Sequence, residues 1–174
     1  MQAPVCKQNF PRLLVACAAL LILCFHDAAA QGRGPAPCRD GQLSARKADE
    51  DAAMGGARIT DYALTNTSRA PCTLRGFPGF ELLNASGRVV RRGRAAAEQH
   101  PEVVSIEPGK AATFSVSYNA GGAGRVGKPC PTYPRVRITA PGQRRGLVLR
   151  EPLQVCGEVE VLPVGPPSGE QPPG

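Results

Sequence analysis

Apolar and polar residues alternate with a period of two in several short segments, and this alternation constrains the fold most strongly. Phe114, Val116 and Tyr118 are separated by hydroxyl-bearing residues, which places the three on one face of a strand. Similar patterns predict strands at residues 59–65, 80–83, 103–106, 135–139, 147–149 and 159–161. Pro-Gly turn signals stand at 108–109 and 141–142. We therefore expect an all-β fold built as an antiparallel β-sandwich.

One segment departs from this pattern. Residues 43–54 read LSARKADEDAAM, in which charged residues and alanine alternate without a clear strand period. The composition is compatible with a short helix and equally with a charged loop. The sequence leaves these two alternatives open.

The N-terminus has the composition of a secretion signal. Lys7 and Arg12 precede an apolar run of thirteen residues, 13–25, and three alanines end at Ala30. A membrane-spanning helix needs roughly 20 apolar residues, whereas a signal core is shorter and ends at a cleavage site with small residues. We expect residues 1–30 to be removed between Ala30 and Gln31, leaving no stable membrane span. An uncleaved anchor is the alternative.

Four cysteines remain after this cleavage: Cys38, Cys72, Cys130 and Cys156. An even number of cysteines in an exported domain indicates disulfides, because thiols pair in an oxidising compartment. A zinc site would need closely spaced pairs, and these cysteines are widely separated. Three connectivities are possible. We favour the sequential one, Cys38 with Cys72 and Cys130 with Cys156.

The mature chain divides into three parts by composition. Residues 31–37 are rich in glycine and proline and predict a flexible leader. Residues 38–164 hold all of the predicted strands and form the sandwich domain. Residues 165–174 are dominated by proline and glycine and predict a disordered tail.

Basic residues outnumber acidic ones, and most of them are arginine. The formal net charge is +7, and loss of residues 1–30 leaves +6. The arginines are scattered except for one cluster, whose members are Arg88, Arg91, Arg92 and Arg94. This cluster is our candidate contact for an anionic polymer, since guanidinium groups suit phosphate and carboxylate. Nucleic acid is not an expected partner, because the chain is exported and has few aromatics for base stacking.

No arrangement of residues in the sequence predicts a catalytic centre, a metal site or a cofactor. His100 is the one histidine of the mature chain and has no nucleophile motif beside it. The acidic run at 49–51 lacks the alternating oxygen ligands of a calcium loop. Glu158 and Glu160 belong on the solvent face of the last strand. Paired carboxylates that act on sugars come from separate elements, so a hydrolase stays open as the rival hypothesis.

Residues 64–78, LTNTSRAPCTLRGFP, resemble a block found in the bacterial family of domain of unknown function 4232. The Pro-Gly before an alternating strand and the two later cysteines, Cys130 and Cys156, are also similar to that family. The resemblance covers residues 38–164. It implies an exported, disulfide-stabilised, immunoglobulin-like β-sandwich, often lipid-anchored, without an established activity. This chain lacks a good lipid-attachment site, which is a departure from the anchored members.

Two asparagines each begin an Asn-X-Ser sequence, Asn66 and Asn84. We interpret both as turn residues rather than glycan acceptors, because asparagine side chains bond to the backbone two residues ahead. Asn66 is then expected to turn the chain out of the strand at 59–65.

These observations favour a secreted or periplasmic module without enzymatic activity. Its partner would be an envelope protein or an anionic polymer. The rival is a small extracytoplasmic hydrolase that acts on carbohydrate through Asp and Glu residues. A third hypothesis is a purely structural envelope component.

Overall fold

A computed structural model describes residues 34–52, 54–121 and 129–166 of the chain. All the strands within those ranges lie in the compact unit Pro35–Gly174. The predicted signal segment 1–30, the Ala30–Gln31 cleavage point, residues 31–33 of the predicted leader and residues 167–174 of the predicted tail lie outside the described residues.

The larger sheet has five strands. They are β1 (Leu43–Ala52), β2 (Ala57–Asn66), β6 (Arg94–Ala95), β8 (Ala111–Asn119) and β13 (Cys156–Val161). Their order across the sheet is β1-β2-β8-β13-β6. Neighbours are antiparallel except for β13 and β6, which are parallel.

The second sheet has four strands. They are β4 (Gly79–Leu83), β5 (Val89–Arg92), β10 (Arg135–Thr139) and β11 (Leu147–Leu149), in the order β11-β10-β4-β5. Two short antiparallel pairs join β3 (Cys72–Leu74) to β7 (Val104–Ile106) and β9 (Thr132–Tyr133) to β12 (Leu153–Gln154). A 3₁₀ turn spans Met54–Gly56.

The two main sheets pack face to face, and the predicted alternation accounts for their contact. Phe114 and Val116 of β8 are buried, while the residues between them are partly exposed. The ring of Tyr62 from β2 lies 5.3 Å from that of Phe80 in β4, which joins the two sheets. Burial of each such side chain contributes about 1.5–3 kcal/mol. The prediction of an all-β, antiparallel fold is confirmed, and a strand is present in every predicted segment.

Residues 43–52 of the segment with two open alternatives form neither a helix nor a charged loop. Residues Leu43–Ala52 form β1, which pairs antiparallel with β2 along its length. The pairing shifts at one point, so that Ala48 has no opposing residue in β2. This segment is a strand because it forms hydrogen bonds and contacts with β2. Such interactions between separate segments cannot be read from the local composition.

The cysteines form two disulfides with the sequential connectivity, Cys38–Cys72 and Cys130–Cys156. The first one corrects the prediction for the leader. Because Cys38 is tied to Cys72, the residues before it reach β3, where the carbonyl of Ala36 accepts a 3.0 Å hydrogen bond from Thr73 N–H. Pro37 also bridges Thr73. The described end of the predicted flexible leader is therefore held against β3.

The C-terminal boundary also differs from the prediction. Gly165 exchanges two backbone hydrogen bonds with Thr113 of β8, at 2.8 and 3.0 Å. Val164 is buried beside them. The ordered domain therefore continues past the predicted boundary at 164, because β8 offers backbone groups to residues just beyond β13.

One glycine allows the chain to change sheets. Gly93 alone separates β5 of the four-stranded sheet from β6 of the five-stranded sheet. A Cβ at this position would lie 2.6 Å from Cγ2 of Val161 and 3.4 Å from Cβ of Phe80. The crossing therefore passes so close to the core that no side chain fits.

Candidate binding surface

The outer face of the four-stranded sheet carries a row of charged side chains. Arg137 of β10 lies opposite Glu81 of β4, and Glu81 lies opposite Arg92 of β5. Their neighbours Val136 and Leu82 are fully buried, so the charged residues point away from the core. Val148 of β11 lies opposite Arg137 and is 51% exposed. We call this set, together with Arg88, Arg135 and Arg150, the arginine face.

Glu81 is the acidic member of this row and is shared by two arginines. Its carboxylate accepts a 2.6 Å bond from Nε of Arg137 and a 3.0 Å bond from Nε of Arg92. Partial burial by itself would raise the pKa of Glu81, but the hydrogen bonds and charges of the two arginines outweigh burial and lower that pKa. Glu81 is therefore ionised at neutral pH, and the row keeps a positive excess.

The other arginines on this side extend the positive surface. The guanidinium of Arg135 donates to the carbonyls of Asn84 and Ala85, at 3.1 Å for Asn84, and so holds the turn before β5. Arg88 follows this turn, and Arg150 follows β11. Both are exposed, and neither has an ion-pair partner among the described residues.

The structure separates the four arginines that the sequence placed in one cluster. Arg92 and Arg88 belong to the arginine face. Arg91 points to the opposite side of β5, where it donates to the carbonyl of Gly157 and its Nε is buried without a partner among the described residues. Arg94 lies in the five-stranded sheet and pairs with Glu158 at 2.8 Å. The prediction of a single contact at 88–94 is corrected, because a strand alternates its faces and Gly93 changes sheets.

Arg135, Arg137 and Arg150 were not among the predicted site residues. A signal was present, because Arg135 and Arg137 alternate with Val136 and Ile138 and therefore share one exposed face. What the sequence lacked was the pairing that brings β10 beside β4 and β5.

The outer face of the five-stranded sheet has the opposite character. Asp49 of β1 lies directly opposite Asp61 of β2, and Asp51 lies opposite Ile59. Asp61 accepts a 2.6 Å hydrogen bond from the hydroxyl of Ser115 in β8. This side of the domain thus carries carboxylates and hydroxyl groups together with Arg46 of β1, which lies opposite Ala63.

A cavity of about 540 Å³ lies beside β6, β8 and β13. Its charged lining residues are Arg94, Glu158 and Glu160, and Ser117 and Asn119 add polar groups. Glu158 and Glu160 are exposed, as predicted for the last strand. Glu158 is engaged by Arg94, so the cavity holds one ion pair and one further carboxylate.

Neither His100 nor the acidic run at 49–51 lies in a cluster of metal ligands. The described ranges contain no group of three or more His, Cys, Asp and Glu residues placed to hold a metal ion. Within those ranges, no helix has the length and apolar character to cross a membrane.

The comparisons with known proteins concern almost the whole of this domain. The family model described as Domain of unknown function (DUF4232) matches residues 38–166. The chain belongs to this family. In this DUF4232 domain the two disulfides indicate an oxidising compartment outside the cytoplasm. A search of curated proteins gives no match.

Proposed function

We propose that this DUF4232 domain is an exported, non-enzymatic binding module of the cell envelope, with an immunoglobulin-like sandwich as its scaffold. The arginine face is its contact surface and an anionic polymer is its ligand. The observation that carries the proposal is the row Arg92, Glu81 and Arg137, in which two cations share one anion on an exposed sheet.

The arginines of this row retain binding capacity. Arg92 and Arg137 contact Glu81 through Nε, which leaves the two terminal nitrogens of each guanidinium for a ligand. Glu81 fixes the direction of both side chains, so less conformational entropy is lost when an anion binds. Neighbouring strands are about 4.8 Å apart, so the strands that carry Arg92 and Arg137 are roughly 10 Å apart and present two cations to an extended polyanion.

Exposed apolar residues lie next to these cations. Val148 is 51% exposed beside Arg137, and Val90 of β5 is 53% exposed. A polymer with anionic groups and a partly apolar backbone could therefore contact both kinds of surface. Attraction between the charges would also speed the encounter and would weaken with salt.

Export is supported by two observations of different kinds. The first is the predicted signal segment with its cleavage at Ala30, and the second is the pair of disulfides. We propose the periplasm or the cell exterior as the location.

A test compares two variants of the mature chain that lose the same charge. The face variant changes Arg88, Arg92 and Arg150 to Gln, and the control variant changes Arg39, Arg69 and Arg145 to Gln. All six residues are exposed. The probe is dextran sulfate, with uncharged dextran as the reference, and binding is followed by retention on the immobilised polymer in a salt gradient.

We expect the face variant to elute at clearly lower salt than the wild type, with about tenfold weaker binding at low ionic strength. The control variant should elute close to the wild type. Equal losses in the two variants would mean that only net charge matters and would overturn the proposal.

The carbohydrate hydrolase remains the rival, and the cavity lined by Glu158 and Glu160 is the place where it would act. Release of reducing sugar from envelope polysaccharide by the wild type, lost in E158Q or E160Q, would favour it over a binding module.

A further inference from the structure

β1 is a long strand at the edge of the five-stranded sheet. It spans ten residues, pairs with β2 on one side, and has no partner strand on its other side among the described residues. Exposed edges of this kind accept a further strand. We propose that β1 pairs antiparallel with β1 of a second copy of this chain, so that two five-stranded sheets become one.

The charges of β1 occur in two blocks of opposite sign. Arg46 and Lys47 form the basic block, and residues 49–51 form the acidic block. An antiparallel two-fold pairing sets the first half of the strand against the second half of its copy. Each basic block then meets an acidic block. A parallel pairing in register would set like charges against each other, which is unfavourable.

The bulge at Ala48 determines which side chains share a face. Lys47 lies opposite Tyr62, and Glu50 lies opposite Thr60. Tyr62 and Thr60 are both fully buried, so Lys47 and Glu50 are on the inner side of the sheet. Their ion pair confirms that they share this side.

Arg46 and Asp51 lie on the other side of the strand, opposite Ala63 and Ile59 of β2. Without the bulge, Lys47 and Glu50 would point to opposite faces, because successive residues of a strand alternate. With the extra residue, Lys47 and Glu50 share the inner face, and Arg46 shares the outer face with Asp49 and Asp51.

One register satisfies both faces. When the two-fold axis passes between Ala48 and Asp49, Lys47 stands opposite Glu50 of the partner subunit and Arg46 stands opposite Asp51 of the partner subunit. Both pairs join opposite charges on the same side of the sheet. The symmetry repeats each pair, which gives four complementary pairs across the junction.

The backbone groups agree with the same register. The carbonyl of Gln42 accepts a hydrogen bond from the N–H of Thr67, so the backbone groups of Gln42 point towards β2. In a strand the backbone groups of every second residue point to the same side, so Ser44 and Arg46 also direct their N–H and C=O towards β2. Ala45 and Lys47 therefore direct theirs to the free edge. Beyond the bulge the alternation shifts, and Glu50 and Ala52 have free-edge groups. The proposed register sets Lys47 against Glu50 and Ala45 against Ala52, the residues whose backbone groups point to the free edge. In the single chain the N–H of Glu50 bonds Oδ1 of Asp49 at 2.8 Å and the carbonyl of Lys47 accepts a 3.4 Å bond from Arg46. Pairing would exchange these two local bonds for bonds between the copies.

The test uses two charge-block variants of the mature chain. R46D/K47E makes all four paired positions of β1 acidic, and E50K/D51R makes them basic. We expect the wild type to dimerise as its concentration is raised, by sedimentation velocity and by light scattering after gel filtration. Each variant alone should be monomeric, with self-association weakened at least about tenfold. An equimolar mixture of the two should form a heterodimer, because all four pairs are then complementary again.

R144D/R145E is the matched control, because it reverses two exposed charges outside β1, in the turn before β11, and should leave the dimer intact. Circular dichroism of each variant shows whether it is folded. A45P gives a second test that keeps every charge, since it removes an N–H directed to the free edge and should block dimerisation. A wild type that stays monomeric at high concentration, or a mixture of the charge-block variants that stays monomeric, overturns the proposal.

Discussion

The carboxylate of Glu81 accepts a 2.6 Å hydrogen bond from Nε of Arg137, the residue directly opposite it on the neighbouring strand. Arg92 binds the other oxygen of the same carboxylate at 3.0 Å. Glu81 is the centre of the arginine face, and its ionisation should therefore be visible in the stability of the domain.

We expect E81Q to lower the free energy of unfolding by about 1 kcal/mol at neutral pH. The pKa of Glu81 is lower in the folded chain than its ordinary value of 4.5. A group with a lowered folded pKa contributes stability above its unfolded pKa and loses that contribution as pH falls through the folded pKa. The difference between wild type and E81Q, measured by urea unfolding, should therefore shrink as the pH falls below 4.5. A difference that is constant with pH would contradict this assignment.

G93A should destabilise the domain, because its Cβ would lie 2.6 Å from Cγ2 of Val161. Val161 is 1% exposed and β-branched, so it cannot move aside easily. We expect a loss of about 1–3 kcal/mol in thermal or urea unfolding. G165A is the control, since a Cβ there meets nothing within 4 Å. Equal stability of G93A and wild type would show that the crossing between the sheets is not tightly packed.

Substitution of Asn66 and of Asn84 distinguishes an asparagine that only forms a local turn from a buried one that also binds distant backbone groups. In both, Oδ1 accepts bonds from the N–H and the hydroxyl of the serine two residues ahead. Asn66 is fully buried and its Nδ2 also donates to Ala70 and to Ile106, at 2.8 and 2.9 Å. N66A should therefore cost about 2–4 kcal/mol, because it removes the amide that binds the buried carbonyl of Ile106 and also loses the bond to Ala70. N84A should cost about 1 kcal/mol or less, and similar losses in urea unfolding would refute the distinction.

Removal of the Tyr62 hydroxyl is expected not to lower the stability of the domain, in contrast to the loss of Asn66. Its ring is buried against Phe80 and Phe114, but its hydroxyl is buried without a hydrogen-bond partner among the described residues. Burial also raises the pKa of Tyr62, so the hydroxyl stays neutral. Because an unsatisfied buried hydroxyl costs free energy, Y62F should be as stable as the wild type or more stable. T60V is the comparison, since Thr60 shares a 3.0 Å bond with the hydroxyl of Tyr118 and its loss should destabilise. A clear loss of stability in Y62F would indicate a partner for the hydroxyl.

Intact mass of protein recovered from the envelope or medium tests the export prediction. We expect a chain that begins at Gln31, without lipid, and that has lost two hydrogens for each of the two disulfides. Reduction should restore these hydrogens. A mass that includes residues 1–30 would favour the uncleaved anchor instead.

Strands in which apolar and polar residues alternate could be predicted from the sequence, because one face of each strand is buried in the core. Phe114, Val116 and Tyr118 show this in β8, where burial follows the alternation along the strand. β1 was not predictable, since most of its charged residues are exposed and its order comes from pairing with β2. The arginine face was partly predictable, because Arg88 and Arg92 were named and Arg135 and Arg137 followed the same alternation in a strand that was itself predicted.

Sequence by itself therefore determined the strand content of β8 and β10, the family, and the even set of cysteines left by the predicted cleavage. These properties depend on local order along the chain: period-two burial, a short motif and spacing. The tertiary structure places Arg91 and Arg94 on surfaces other than that of Arg92. It also places Arg137 on the same surface as Arg92, with Glu81 between them. Sheet order and the crossing at Gly93 arise from contacts between distant residues, and no local pattern specifies which strands become neighbours.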